Sequence, residues 1–113
     1  MVKRKIFRMR KLTKKGLDKK LLKEWREKCL ERDGYKCAYC GNTETLNVHH
    51  ILGRRARITR HDVDNGITLC AKHHTFSSTF SAHQTPSLFT KWLERTKGEQ
   101  WLKDLHNKFN QNL

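Results

Sequence analysis

The chain has 113 residues of which 35% are apolar, which holds it to one domain near the small end of what a hydrophobic core supports unaided. Its formal net charge of +14, from 25 Lys and Arg against 11 Asp and Glu, points to a polyanionic partner or an anionic surface and argues against a basic one. No apolar run is long enough to span a membrane and the basic N-terminus lacks the apolar stretch of a signal peptide, so an intracellular, cytoplasmic protein with no membrane partner is expected.

Residues 1–15 form a basic arm with Ile6, Phe7, Met9 and Leu12 scattered through it, readable as a solvated tail or as an arm that orders on phosphates. Residues 16–113 then form a single domain. From Leu17 to Glu31, Leu21, Leu22, Trp25 and Cys29 recur at helical spacing among Lys and Glu, which predicts an amphipathic helix packed against the cysteine-containing segment after it. Cys29 has no x-x partner and reads as a thiol on that helix face.

Next come two half-sites of like spacing, Cys37-Ala-Tyr-Cys40 and Cys70-Ala-Lys-His73. Together they offer four ligands to one tetrahedral Zn²⁺. Ordinary buried thiols or disulfides are the bland alternative, and nothing points to an oxidising compartment. A structural Zn²⁺ would supply stability that so small a core lacks.

Leu46, Val48, His50 and Leu52 alternate with Asn47, His49 and Ile51, as in a strand. On a flat strand the adjacent histidines point to opposite faces. The loop after Gly53 carries Arg54, Arg55, Arg57 and Arg60, either a solvated segment or a set of phosphate contacts. Asn65-Gly66 favours a tight turn, Gly66 to Leu69 reads as the returning strand, and the chain from about Ala71 should turn helical. Thr85-Pro86 signals a helix start and Gly98 its end. Leu88, Phe89, Trp92 and Leu93 make one apolar stripe, and Trp101, Leu102, Leu105 and Phe109 make another. Core packing is the default role for both, ahead of base stacking.

The order Cys37-x-x-Cys40, Val48-His49-His50-Ile51, Asn65-Gly66-Ile67-Thr68-Leu69-Cys70-x-x-His73-His74, led in by Arg32-Asp33-Gly34-Tyr35-Lys36, resembles the HNH endonuclease family from about Trp25 to His74. The resemblance implies an α+β fold: a small ββα-metal (His-Me finger) core with a zinc knuckle, flanked by N- and C-terminal helices. It also implies a metal-dependent endonuclease that hydrolyses DNA phosphodiester bonds, by nicking or by double-strand cutting. His50 corresponds to the general base, His49 and His74 to ligands of a catalytic divalent ion, and Asn65 to the residue that fixes the loop between the strands. A joint role for His49 and His50 rests on the resemblance, in which the strand twists and ends at the pair, and not on periodicity. Most members with a knuckle have Cys where this chain has His73, and histidine also ligates Zn²⁺.

An all-imidazole pair shifts the catalytic ion from Mg²⁺ towards Mn²⁺, Ni²⁺ or Zn²⁺. Some members have a further ligand a few residues after the closing histidine; here Ser77 and Ser78 stand at that distance, which leaves His83 as the downstream candidate. His61 and His106 fall in no motif. By family analogy alone, small proteins of this layout belong to bacteriophages and mobile elements, with packaging or restriction partners. Two other readings remain: a zinc-knuckle DNA-binding module without catalysis, and a nuclease directed at RNA.

Overall fold

The computed structural model describes residues 13–53 and 59–110. The expected basic arm up to residue 12 lies outside the described residues, as do Arg54, Arg55 and Arg57. Helix α1 (Lys14–Arg32) begins at Thr13, whose hydroxyl accepts a hydrogen bond from the Gly16 amide at 3.0 Å. Lys14 and Lys15, read from sequence as the end of the arm, therefore lie in its first turn. Only its second half is buried, through Trp25, Cys29 and Leu30, while Leu17 is exposed. Just beyond the helix, Gly34 and Tyr35 both adopt positive φ (71° and 56°) and turn the chain towards the first cysteine pair.

Strands β1 (Leu46–His50) and β2 (Gly66–Cys70) pair antiparallel, with His50 opposite Gly66 and His49 opposite Ile67. β1 stops at His50, two residues before the alternation in the sequence ends. The next amides are drawn to Asn65 instead: Ile51 N–H donates to its carbonyl at 3.2 Å and Leu52 N–H to its Oδ1 at 2.7 Å. Residues directly opposite one another share a sheet face. One face, with Gly66, Thr68 and His50, meets α1; the other, with Ile67 and Leu69, packs into a cluster with Cys37, Cys70, Ala82, Phe89 and Leu93. All five residues of β2 are buried, so it forms the middle of the molecule.

Gly66 is not a turn glycine, contrary to the Asn-Gly expectation. Its φ of −140° is open to any residue, and the reversal is made by a single 3₁₀ turn at Val63–Asn65, begun by Asp62, whose carboxylate accepts from the Asp64 amide at 2.9 Å. The constraint is one of packing: a Cβ here would stand 2.6 Å from Cys29 Sγ and 2.7 Å from the Trp25 ring. A hydrogen at this position lets α1 sit directly on β2.

The helix expected after Ala71 is one π-helical turn, Lys72–Phe76, closed by Ser77 N–H on the Lys72 carbonyl at 2.8 Å. Two helices follow, α2 (Pro86–Lys97) and α3 (Glu99–Asn110), with Gly98 between them at φ 94°. Thr85 stands at the start of α2 as the sequence indicates, but its hydroxyl bonds Ser81 rather than capping the helix. Phe89, Leu93, Leu102 and Leu105 are buried, whereas Leu88 is half exposed. The result is the α+β arrangement implied by the resemblance, a two-stranded hairpin with helices before and after it. Among the described residues, no helix is long and apolar enough to cross a membrane.

Gly66→Ala should destabilise the protein by about 1–3 kcal/mol, the usual cost of forcing atoms into a packed interior. Urea unfolding of the two proteins would show it as a lower midpoint, and Cys29→Ala in the same chain should recover part of the loss.

Candidate active site

Cys37, Cys40, Cys70 and His73 converge so that their ligating atoms all lie within 4.8 Å of one another. The measured separations are 3.8 Å for Cys40 Sγ to Cys70 Sγ, 3.3 Å for Cys70 Sγ to His73 Nδ1 and 3.9 Å for Cys37 Sγ to His73 Nδ1. A tetrahedron built on Zn–S and Zn–N bonds has edges of roughly 3.5–3.8 Å, so the donor set fits a Zn²⁺ ion in both chemistry and size. Burial pushes the Cys37 thiol up, but the backbone amides of Cys40, Cys70 and Tyr39 outweigh it and leave the thiol below its usual range. That favours the thiolate a metal requires. Tyr39, from inside the first pair, stacks on Phe80 at 3.9 Å and stands 4.7 Å from the His73 ring, tying the knuckle to the segment before α2.

A second cluster lies beside the first. His49, His74 and His83 also bring ligating atoms within 4.8 Å. Nε2 of His74 and Nε2 of His83 are 3.1 Å apart, a separation that needs a proton or a cation between the two lone pairs. One metal ion bound by two imidazoles places their nitrogens roughly 2.9–3.4 Å apart, so this pair fits as well. Burial pushes His49 down to about 3, with further lowering from the neighbouring His74, His83 and His50. Burial and His83 likewise lower His74. Both rings are thus neutral at physiological pH and keep a lone pair for a metal. His83 is exposed, so the cluster opens to solvent on that side.

Adjacent residues on the π-helical turn point in different directions, so His73 reaches the thiolates and His74 the other imidazoles. His83 arrives through backbone pairing, with Ala82 N–H on the His73 carbonyl at 2.9 Å and His83 N–H on the His74 carbonyl at 3.1 Å. A local count from His74 reaches only Ser77 and Ser78, and Ser77 Oγ is engaged with the Thr79 and Phe80 amides.

His50 leaves β1 on the face opposite His49. Its ring lies flat against Trp25, with centroids 3.8 Å apart and planes 9° from parallel, while His49 meets Phe89 edge-on at 5.4 Å. The alternation in the sequence is therefore what the strand displays. His50 is nonetheless close enough for its charge to disfavour protonation of His49. Its Nε2 lies 3.0 Å from the Arg60 carbonyl, which can only accept, so the proton sits on Nε2 and the basic lone pair on Nδ1.

Asn65 is fully buried and spans the loop, its Oδ1 accepting from Leu52 N–H and its Nδ2 donating to the Thr59 carbonyl at 3.0 Å. Of the four loop arginines only Arg60 is described, and its Nη1 donates to Asp18 Oδ1 at 3.0 Å. The same oxygen meets His61 Nε2 at 2.9 Å, giving a place to a histidine that no motif contains. His106 lines a cavity of about 220 Å³ together with His49, Leu52 and Phe89. Sequence reasoning missed the bonds made by Arg32 and Asp33. They form a two-bond ion pair, Arg32 also donates to the Val63 and Gly66 carbonyls, and Asp33 accepts from Thr68 N–H at 2.9 Å. The lead-in Arg-Asp-Gly was visible as a motif, but nothing in it says which backbone groups it serves.

The knuckle ligands, His49, His50 and His74 fall on one continuous stretch of chain. Residues 37–77 match the family model for HNH endonuclease. The HNH segment spans less than half of the chain; it includes both knuckle pairs, His49, His50, Asn65 and His74, and leaves out α1, His83, α2 and α3. No curated protein and no solved structure matches the chain. Members of the matching family are nucleases, and the match supports nucleic-acid hydrolysis at that level.

The purified protein should carry zinc in the Cys37, Cys40, Cys70 and His73 site, and Cys37→Ser should lose both the metal and compactness, because such binding contributes directly to folding. Elemental analysis with analytical gel filtration reads both. At the second cluster, changing an outer partner of a ligand typically weakens metal binding about 10–100-fold, and His83→Ala removes a donor outright, so its Ni²⁺ affinity by calorimetry should fall at least that far.

Proposed function

We propose that the protein is a metal-dependent endonuclease that hydrolyses DNA phosphodiester bonds, with His50 as its general base. The observation that carries this reading is the three-imidazole cluster of His49, His74 and His83, open to solvent and beside His50 on the strand, with His49 and His74 inside the segment that matches HNH endonucleases and His83 just beyond it. A divalent ion held by these three side chains would supply positive charge to the phosphoryl and leaving oxygens.

The protein's own groups account for the rest. His50 accepts the proton of the attacking water at Nδ1, and the Arg60 carbonyl on Nε2–H holds the ring in the tautomer that leaves Nδ1 basic. Asn65 bonds Leu52 and Thr59 together, so the two ends of the loop that follows His50 keep their spacing. The excess of Lys and Arg binds the phosphate backbone, with an affinity that falls steeply with salt. Arg54, Arg55 and Arg57, next to this site in the sequence, are the residues we assign to substrate phosphates. Three imidazoles suit Mn²⁺, Ni²⁺ or Zn²⁺ better than Mg²⁺.

One observation favours a second reading, a DNA-binding module without catalysis: His50 faces Trp25, across the strand from the cluster. Plasmid incubated with the protein and Mn²⁺ separates the two. With one three-histidine cluster per chain among the described residues, nicked circles should accumulate before linear DNA, and ligase should seal them directly, because water bonding to phosphorus as the P–O3′ bond breaks leaves 5′-phosphate and 3′-hydroxyl ends. His50→Ala should abolish cutting with DNA affinity nearly unchanged, since a base acts in the transition state and not in ground-state binding. Intact plasmid with the parent protein would favour the binding module. Cleavage of a matched RNA but not of plasmid would redirect the nuclease to RNA.

A further inference from the structure

We propose that α1, which precedes the HNH segment, forms the second half of the His50 site: Asp18 and Trp25 are positioning residues that fix the orientation of the His50 imidazole. The inference rests on the nuclease reading, since it concerns the base of that reaction.

Asp18 and Trp25 are seven residues apart, two helical turns, and so lie on one face of α1. A single oxygen of Asp18 gathers two consecutive residues of the loop, accepting from Arg60 Nη1 at 3.0 Å and from His61 Nε2 at 2.9 Å. The Arg60 carbonyl, fixed in place by that tether, is the group that meets His50 Nε2 at 3.0 Å. Trp25 acts on both the ring and the loop. Its indole lies parallel to the imidazole at 3.8 Å, which limits rotation of the ring, and its Nε1–H donates to the Asp62 carbonyl at 2.8 Å.

The next residues of the loop are held independently, by Lys108 on the carboxylates of Asp62 and Asp64 and by Arg32 on the Val63 carbonyl. Loss of Asp18 therefore removes one tether shared by Arg60 and His61 without releasing the other end of the loop. The hydrogen bond from Arg60 holds the Asp18 carboxyl below the usual carboxylate range, so the tether is charged at neutral pH. The surrounding sequence gives it work to do, because this end of the loop follows Gly53 and a run of arginines whose charges repel.

The test uses the full chain, plasmid and Mn²⁺, with kcat and KM measured separately. Misplacing a reacting group by about 1 Å can cost roughly 10²-fold in rate, so Asp18→Ala should lower kcat by about 10–100-fold without raising KM. Asp18→Asn keeps an acceptor oxygen in place and should restore most of the rate. Trp25→Phe, which keeps a ring but loses the Nε1 donor, should give an intermediate kcat. Asp18 is partly exposed and Ala is a better helix former, so unchanged zinc content and unfolding midpoint should accompany the loss.

A second measurement does not depend on activity. The His50 Nε2–H signal should be visible by nitrogen-resolved NMR in the parent and broadened by exchange in Asp18→Ala. Parental kcat in Asp18→Ala, an Asn variant as slow as the Ala variant, or a sharp Nε2–H signal in Asp18→Ala would each overturn the proposal. A parent protein that cuts no nucleic acid would overturn the nuclease reading alone, and the NMR comparison would still decide whether α1 orients His50.

Discussion

The outer edge of β2 is the constraint on which the rest of the structure depends. This strand is buried along its whole length yet, among the described residues, has a single strand neighbour, so its other edge carries backbone groups that need partners away from water. Leaving one such group unmatched costs about 1–3 kcal/mol, a large share of the stability of a small domain. The partners come from the stretch just after α1. Arg32 Nη2 donates to the Gly66 carbonyl at 2.7 Å, Asp33 accepts from Thr68 N–H, and Ala38 N–H donates to the Thr68 carbonyl at 2.9 Å. One short edge thereby fixes the end of α1, the start of the knuckle and the strand that leads to Cys70.

Two clusters are built from one piece of backbone. Cys70 ends β2, and the π-helical turn immediately after it divides His73 from His74. The knuckle anchors that turn from one side, while the imidazole cluster uses its other side. β1 performs a similar division by simple pleating, with His49 directed to the cluster and His50 to Trp25. The division gives the two histidines distinct electrostatic surroundings. His49 sits buried among other imidazoles, both of which disfavour its protonation; His50 sits against an indole face and a carbonyl oxygen.

Charge is arranged in the same economical way. Asp18, Asp33, Asp62 and Asp64 are all drawn into ion pairs that hold the loop between the strands to α1 and α3, or close the end of α1. Several of the few acidic residues are thus used internally. Among the described residues, lysines such as Lys19, Lys23, Lys28 and Lys91 are exposed, a surface suited to a polyanion. Exposed pairs of this kind contribute little to stability one by one, and their value lies in fixing the geometry of the loop.

The sequence by itself determined the cluster of Cys37, Cys40, Cys70 and His73, the strand pair, the two C-terminal helices and the HNH-like order of His49, His50, Asn65 and His74, because each is a local pattern of spacing or alternation. Cys-x-x-Cys and Cys-x-x-His bring their donors together within a single turn, and Thr85-Pro86 and Gly98 mark helix ends through their own backbone limits. Tertiary structure alone decided what depends on contact between distant segments. His83 joins His49 and His74 through pairing of residues 82–83 with residues 73–74, which no count along the chain reveals. The need for glycine at position 66 comes from Trp25 and Cys29 on a helix far away in sequence, and the turn signal in Asn-Gly pointed to another cause. The surroundings of His50 likewise depend on α1, because only packing places the Trp25 ring against it and binds Asp18 to the loop that supplies its hydrogen-bond acceptor.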